Sequence, residues 1–300
     1  MSAPLLPVAC VQLNTRDDAA ANLRAAAGLV EEAAAAGARL IALPETWLYK
    51  GRGAGIRAGA EAVDGPGNAA LAQLAARFGV YVLAGSIYEP AGPGADGRVY
   101  NTSALFGPDG ALLAAYRKIH LFDVVAGDKV YRESEDVCAG AEVVTATIDA
   151  GAGRGDSAPS EAGPLRAAPS EATPVTLGLS LCYDLRFPEL YRSLALMGAQ
   201  VLCVPSAFTA LTGAAHWEVL LRARAVENGC FVVAPAQVGE HLPGRSCFGH
   251  SMIVDPWGEI LAELPSGTGI CLAELDLGRV AAVRGQIPSL QNRRPDAYRL

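Results

Sequence analysis

The chain reads as an α/β protein in which two mixed sheets pack face to face with helices outside. Three observations point there. Apolar strand-like runs alternate with helix-like segments, which implies βαβ units and parallel pairing. The alternation occurs twice, once in each half of the chain. Each half also carries a hairpin signal, Gly107-Pro108-Asp109-Gly110 and Asp255-Pro256-Trp257-Gly258, between two strand-like runs.

In chain order, residues 8–13 predict a first strand and residues 17–36 an Ala-rich helix stopped by Gly37, with Leu23, Ala26, Leu29, Val30 and Ala33 at helical spacing. Residues 39–43 predict a second buried strand that ends in Pro44-Glu45, followed by a Gly-rich loop, a helix at 69–78 and a third strand at 80–87. Residues 100–106 and 111–116 flank the first hairpin turn. The second half predicts a strand at 175–181, a helix at 187–197, a strand at 201–204, a helix from about 214 to 228, a strand at 231–234 and the second hairpin at 252–264.

Composition bounds the rest. With 300 residues, 51% apolar and only 18% charged, the chain can bury the core of one large α/β domain spanning 1–300. A net charge of −7 without a basic stripe argues against a nucleic-acid partner. No apolar run approaches the roughly 20 residues of a membrane span, and the first residues lack the basic start of a secretory leader. Seven cysteines, an odd number, with Cys10, Cys203, Cys230 and Cys271 inside apolar runs, suit a reduced cytoplasmic protein. Residues 151–174, dominated by Gly, Ala, Ser, Pro and Glu, predict a mobile surface insertion. Its Arg154-Gly155-Asp156 reads as a chance tripeptide rather than an adhesion motif.

The segment richest in chemistry is Gly178-Leu-Ser-Leu-Cys182-Tyr-Asp-Leu-Arg-Phe-Pro-Glu-Leu190. Cys182 falls where a strand hands over to a helix, the edge of an α/β sheet at which ligands and catalytic groups collect. A free thiol titrates near about 8.5, and a neighbouring cation or helix N-terminus lowers that value and supplies thiolate. The same cysteine could instead be a small buried apolar side chain. Other chemistries find less support. None of His120, His216, His241 and His250 lies in a Cys-His protease signature, there is no Gly-x-Ser-x-Gly elbow, and the cysteines and histidines lack zinc spacing. The Gly51–Gly55 and Gly151–Gly155 runs do not stand between a strand and a helix as phosphate loops do.

Glu45 stands at the mouth of a buried strand, and Lys118 follows one strand and precedes an apolar stretch. Each is either a satisfied ion-pair partner or a reactive group with a shifted pKa. Arg186, four residues after Cys182, has a fork that suits a substrate carboxylate and equally a local ion pair with Glu189.

Taken together, Leu43-Pro44-Glu45, Tyr116-Arg117-Lys118-Ile119-His120-Leu121-Phe122-Asp123 and Cys182-Tyr183-Asp184-Leu185-Arg186-Phe187-Pro188-Glu189 strongly resemble the three signature blocks of the nitrilase superfamily of carbon-nitrogen hydrolases, in the family's order. The resemblance runs from about Val8 to the C-terminus. It implies a four-layer αββα sandwich and a Glu-Lys-Cys triad carried by Glu45, Lys118 and Cys182, with Glu133 of Arg132-Glu133-Ser134 as a second glutamate. On those residue types Glu45 serves as general base, while Lys118 and the backbone N–H of Tyr183 hold the oxyanion.

No cofactor and no metal is implied. Phe208, Thr209 and Thr212, beyond the strand at 201–204, are expected at the substrate along with Tyr183 and Arg186. The segments 216–227 and 249–258 and the tail Arg293-Arg294-Pro295-Asp296-Ala297-Tyr298 look most like the branch of deaminated glutathione amidases and omega-amidases. That branch implies hydrolysis of the terminal amide of a small carboxylic acid through a cysteine thioester, with release of ammonia. N-carbamoyl amino acid amidohydrolysis is the alternative within the superfamily, and a catalytically silent binding module the alternative outside it. Members of the family commonly pair, so a homodimer or higher homo-oligomer is expected.

Overall fold

The computed structural model describes residues 4–151 and 172–297. The first half holds β1 (Leu5–Gln12), α1 (Ala19–Ala35), β2 (Leu40–Ala42), the short α2 (Ala54–Ala58), α3 (Pro66–Phe78), β3 (Tyr81–Leu83), β4 (Ile87–Pro90), β5 (Val99–Phe106) and β6 (Leu112–Arg117). A small hairpin follows, β7 (Asp123–Ala126) and β8 (Lys129–Arg132), and then β9 (Thr145–Asp149). The second half holds β10 (Pro174–Leu179), α4 (Pro188–Leu196), β11 (Val201–Cys203), α5 (Ala210–Asn228) and β12 (Phe231–Ala234). It closes with a second small hairpin, β13 (Val238–Leu242) and β14 (Arg245–Phe248), then β15 (Ser251–Val254), β16 (Ile260–Leu264), β17 (Gly269–Asp276) and α6 (Gly278–Gln286).

These form two large mixed sheets, one ordered β17-β1-β2-β3-β5-β4 with β6 on β5, the other β16-β15-β12-β11-β10-β9. The central strands of each are parallel, β1 with β2 with β3 and β10 with β11 with β12. Because side chains alternate across a strand, each strand feeds two cores. Val8, Cys10, Leu40 and Leu83 of the first sheet meet Leu177, Leu179, Val201, Cys203 and Phe231 of the second in the space between the sheets. Their neighbours Ala9, Val11, Ile41 and Val82 pack outward on Ala26, Val30 and Ala33 of α1 and Leu71 and Ala75 of α3. Leu202, Val204 and Val232 do the same against Leu190 and Leu194 of α4 and Trp217 and Leu221 of α5. The result is helix, sheet, sheet, helix. Strands buried on both faces are why the sequence shows near-continuous apolar runs instead of alternation.

The expected strand at 80–87 is broken. Gly85 has a φ of +46° and its backbone lies so close to the Pro44 carbonyl that a Cβ would stand 2.0 Å from that oxygen. The chain turns there, and Ser86 Oγ accepts from the Thr46 N–H at 2.9 Å. The interruption therefore serves the loop carrying Glu45. α5 begins at Ala210, ahead of the expected 214, because Thr209 caps it and accepts from the Thr212 N–H. The strands β9 and β17, the two small hairpins and α6 lie outside what the sequence predicted. Of the expected insertion, Pro174 already belongs to β10, and residues 152–171, including the Arg-Gly-Asp tripeptide, lie outside the described residues. Among the described residues no helix is long and apolar enough to cross a membrane.

Candidate active site

Four loops converge at one end of the sandwich. Glu45 follows β2 by a short turn in which Thr46 takes a φ of +52°. Gln237 holds that turn, donating to the Glu45 carbonyl at 3.0 Å and to Thr15 Oγ1 at 2.7 Å. Lys118 is the first residue after β6, and its N–H donates to the Asn101 carbonyl at 2.9 Å. Glu133 opens the short 3-10 turn Glu133–Glu135 after β8. Cys182 opens the 3-10 turn Cys182–Arg186 between β10 and α4, with φ +46° and its N–H donating to the Pro205 carbonyl at 3.0 Å. A non-glycine residue in this left-handed region carries a cost of order 1–3 kcal/mol, which the packed surroundings must hold in place.

The side chains meet in one buried cluster. Lys118 Nζ lies 3.0 Å from Glu45 Oε1 and 2.9 and 2.8 Å from the two Glu133 oxygens. The second Glu45 oxygen accepts from the Ala207 N–H at 2.9 Å, and the first accepts from Asn101 Nδ2 at 2.8 Å. Glu133 in turn accepts from the Phe122 N–H at 2.6 Å. The Cys182 thiol is a hydrogen-bonded neighbour of the Glu45 carboxylate. Lys118 is only 2% exposed and Glu45 4%, so these are ionisable groups in a largely dry site.

Burial alone would raise the Glu45 carboxyl, but Lys118, then Lys50 and the hydrogen bonds from Cys182 and Lys118, hold it below the ordinary carboxylate value. Burial would strip the proton from Lys118, yet the two glutamates keep it a cation well above the usual range. The Cys182 thiol is pushed up, first by burial and then by the Glu45 charge, and Lys118 offsets only part of this. The expectation that a nearby cation lowers this thiol is therefore corrected: the carboxylate and the lack of water outweigh it. At neutral pH the cluster holds a carboxylate, an ammonium and a protonated thiol, an arrangement that needs a base to make the nucleophile.

A cavity of about 610 Å³ opens onto these groups. Tyr183, Phe208, Thr209 and Thr212 line it together with Glu45, Lys118, Glu133 and Cys182. Its mouth is framed by the two small hairpins, where Lys129 Nζ donates to the Gly244 carbonyl and the Arg245 guanidinium sits 4.5 Å from the Tyr131 ring centre. Arg186 is not among the lining residues. Its guanidinium lies 5.0 Å from the Phe208 ring centre and 5.8 Å from that of Tyr183, and its Nη1 is 3.1 Å from His216 Nδ1, so it backs the rings of the cavity wall and forms no ion pair with Glu189.

Sequence reasoning missed Asn101, Gln237 and Asp184. Asp184 is fully buried; its carboxylate accepts from Tyr116 Oη at 2.6 Å, from the His120 N–H at 3.0 Å and from the Leu181 N–H at 2.8 Å. It joins the strand end on either side of Lys118 to the residue before Cys182. The signal for Asn101 was available: Asn101-Thr102-Ser103 is a polar triplet inside a strand, and all three are 1% exposed. Among the described residues no group of three or more His, Cys, Asp or Glu is placed to hold a metal ion.

The chain is similar to known proteins over nearly its whole length. The chain is 42% identical over 286 residues to a deaminated glutathione amidase of Synechocystis sp., covering 95% of this chain and 97% of that protein. It is 35% identical to the omega-amidase NIT2 of Danio rerio, covering 97% and 95% of the two. The crystal structure of Saccharomyces cerevisiae Nit3, a member of branch 10 of the nitrilase superfamily, superposes with a TM-score of 0.79 at 31% identity over 98% of each chain. The profile of the carbon-nitrogen hydrolases matches residues 7–285, and the chain belongs to that family.

Proposed function

We propose that the protein is an amidase that hydrolyses deaminated glutathione or a related omega-amide of a 2-oxo acid through a thioester on Cys182. The single observation that carries the reading is the Lys118 ammonium held 3.0 Å from Glu45 and 2.8 Å from Glu133 beside a buried thiol at the floor of a cavity. The identity to amidases over nearly the whole chain supports the same reaction.

As the Cys182 sulfur attacks the amide carbon, Glu45 takes the thiol proton, and the C=O electron pair becomes an oxyanion. Lys118 Nζ and the Tyr183 N–H receive that charge. Fixed donors aimed at a developing oxyanion are worth about 3–4 kcal/mol of barrier each in enzymes of known mechanism. The C–N bond breaks as Glu45 returns the proton to nitrogen. The amine that leaves is ammonia from a primary omega-amide; deaminated glutathione carries a secondary amide, so the expected release of ammonia is corrected for that substrate to release of its cysteinyl-glycine half. Water, deprotonated by Glu45, then attacks the thioester, and the acid leaves as the thiol is restored. Glu133 holds Lys118 charged and oriented throughout.

The proposed setting is a cytoplasmic homodimer; seven free cysteines suit a reducing compartment, and sedimentation measures the assembly. The activity test offers the purified protein deaminated glutathione, omega-amides of 2-oxo acids, N-carbamoyl amino acids and nitriles, with acid quench and mass spectrometry. Turnover of the first two with an acyl adduct on the Cys182 peptide is the expected result. Turnover of carbamoyl compounds alone shifts the substrate within the family. Silence across the panel without an adduct overturns the enzyme reading in favour of a binding module.

A further inference from the structure

The cavity is electrically uneven. Glu45 and Glu133 flank Lys118 at its floor, whereas Lys50, Arg52 and Arg245 line it together with His241. Lys50 donates to Thr46 Oγ1 at 3.3 Å and Arg245 to the Val130 carbonyl at 3.4 Å. Among the described residues, none of these three cations is ion-paired with a carboxylate. In a chain of net charge −7, three unpaired cations gathered on one cavity are not a random sample of the surface.

Their fields also converge. His241 is half-buried and is pushed down to about 3 by burial and by Lys50, Arg245, Arg52 and Arg16. Its ring is thus neutral at physiological pH and offers a hydrogen-bonding atom without a further positive charge. Arg132 lines the same cavity, and there the carboxylates of Glu135 and Asp136 line it too.

We infer that Lys50, Arg52 and Arg245 form a subsite for a carboxylate carried at the end of the substrate remote from the scissile amide. The inference rests on the amidase reading above and moves the task of carboxylate recognition from Arg186, which stands behind the wall, to the cations that face the cavity. Two guanidinium forks and an ammonium can share the oxygens of one carboxylate or hold two carboxylates on one short chain. The substrate then lies with its neutral amide between Glu45, Lys118 and Cys182 and its anionic end toward the β13–β14 hairpin.

The test compares the omega-monoamide of glutaric acid with its methyl ester, using the ratio of the two kcat/KM values. The ratio cancels any effect of Lys50 on Glu45. Wild-type protein should prefer the acid, and Lys50→Met, Arg52→Gln and Arg245→Gln should each lower the preference by about tenfold, with the triple variant close to unity. Arg77→Gln, a surface arginine paired with Glu31 at 2.8 Å, controls for net charge and should leave the ratio where it was.

In parallel, calorimetry measures glutarate binding to Cys182→Ala protein with and without the three substitutions; circular dichroism confirms folding. A wild-type ratio near one, a ratio unmoved in the folded triple variant, or an equal shift from Arg77→Gln overturns the subsite while leaving the amidase intact. Glutarate binding that depends on the three cations, in a protein that cleaves neither amide, upholds the subsite and overturns the amidase.

Discussion

The Asp184 carboxylate and the Tyr116 hydroxyl meet at 2.6 Å beneath the active site, tying the strand that ends at Lys118 to the turn that begins at Cys182. The same carboxylate holds the His120 N–H at 3.0 Å, and the His120 ring stacks on Phe187 at 3.6 Å between ring centres. The spacing of Lys118 and Cys182 is therefore braced by a group that is bonded to neither side chain.

Asp184→Asn, which keeps the shape but forces an N–H against one of these donors, should lower kcat at least tenfold with little change in KM. Hydrogen bonds to a buried charge contribute about 1.5–3 kcal/mol, so urea unfolding should report a loss of that size. Tyr116→Phe should give a smaller fall in kcat, and the two effects should not add. Additive losses, or a change in KM alone, would remove the positioning role.

Glu45→Gln should separate thiol acidity from catalysis. The Glu45 charge is one of the causes holding the thiol up, second to burial, so its removal lowers the thiol pKa. Iodoacetamide alkylation of the Cys182 peptide, followed by mass spectrometry, should shift to lower pH. Turnover should nevertheless fall by at least about 100-fold, since the base is gone. A shift of the alkylation profile to higher pH contradicts the electrostatics described above.

Lys118→Met leaves two carboxylates facing each other in a site where Lys118 was 2% exposed. In the wild type the depressed Glu45 pKa contributes stability above the ordinary carboxylate value of about 4.3, and this is lost as pH falls through the lower folded value. Without Lys118, burial dominates and the folded carboxyl titrates above the unfolded one, so the contribution reverses and stability is lost as pH rises. The variant should be destabilised more at pH 8 than at pH 5 in thermal melts. Its kcat should fall by about 100- to 1,000-fold.

Cys182→Ala should abolish turnover and leave the fold intact, whereas Cys203→Ala, fully buried between the sheets, should cost about 1 kcal/mol and keep activity. Gly85→Ala should do both kinds of damage, because its Cβ would meet the Pro44 carbonyl at 2.0 Å next to Glu45. A loss of about 3 kcal/mol with a collapse of kcat is expected from urea titration and steady-state assays.

The architecture was legible where one physical signal dominated. Doubly buried strands such as β10 and β12 stand out as apolar runs, and α1 and α3 show helical spacing. Glu45, Lys118 and Cys182 were legible as chemistry set against apolar sequence, and Glu133 only through a motif. The lowered or raised state of each was not legible, because it depends on distances between loops far apart in the chain. Asp184 looked like a polar residue in a turn, and nothing local reveals that it binds Tyr116. Lys50 and Arg52 sit in a loop and Arg245 opens β14, with nothing local to mark them, and only folding brings them to one cavity. β17 was invisible as a partner because its pairing with β1 is a relation between the two ends of the chain.

That last pairing has a consequence for biosynthesis. Leu5 aligns with Asp276 and Gln12 with Gly269, so β1 is translated more than 250 residues ahead of the strand that completes its pairing. Until that far segment has emerged from the ribosome, one edge of β1 lies open with its backbone N–H and C=O groups unpaired, and the sheet that supplies Glu45 is unfinished. A nascent protein stalled before about Gly269 would thus carry Glu45, Lys118, Glu133 and Cys182 and still be a target for chaperones.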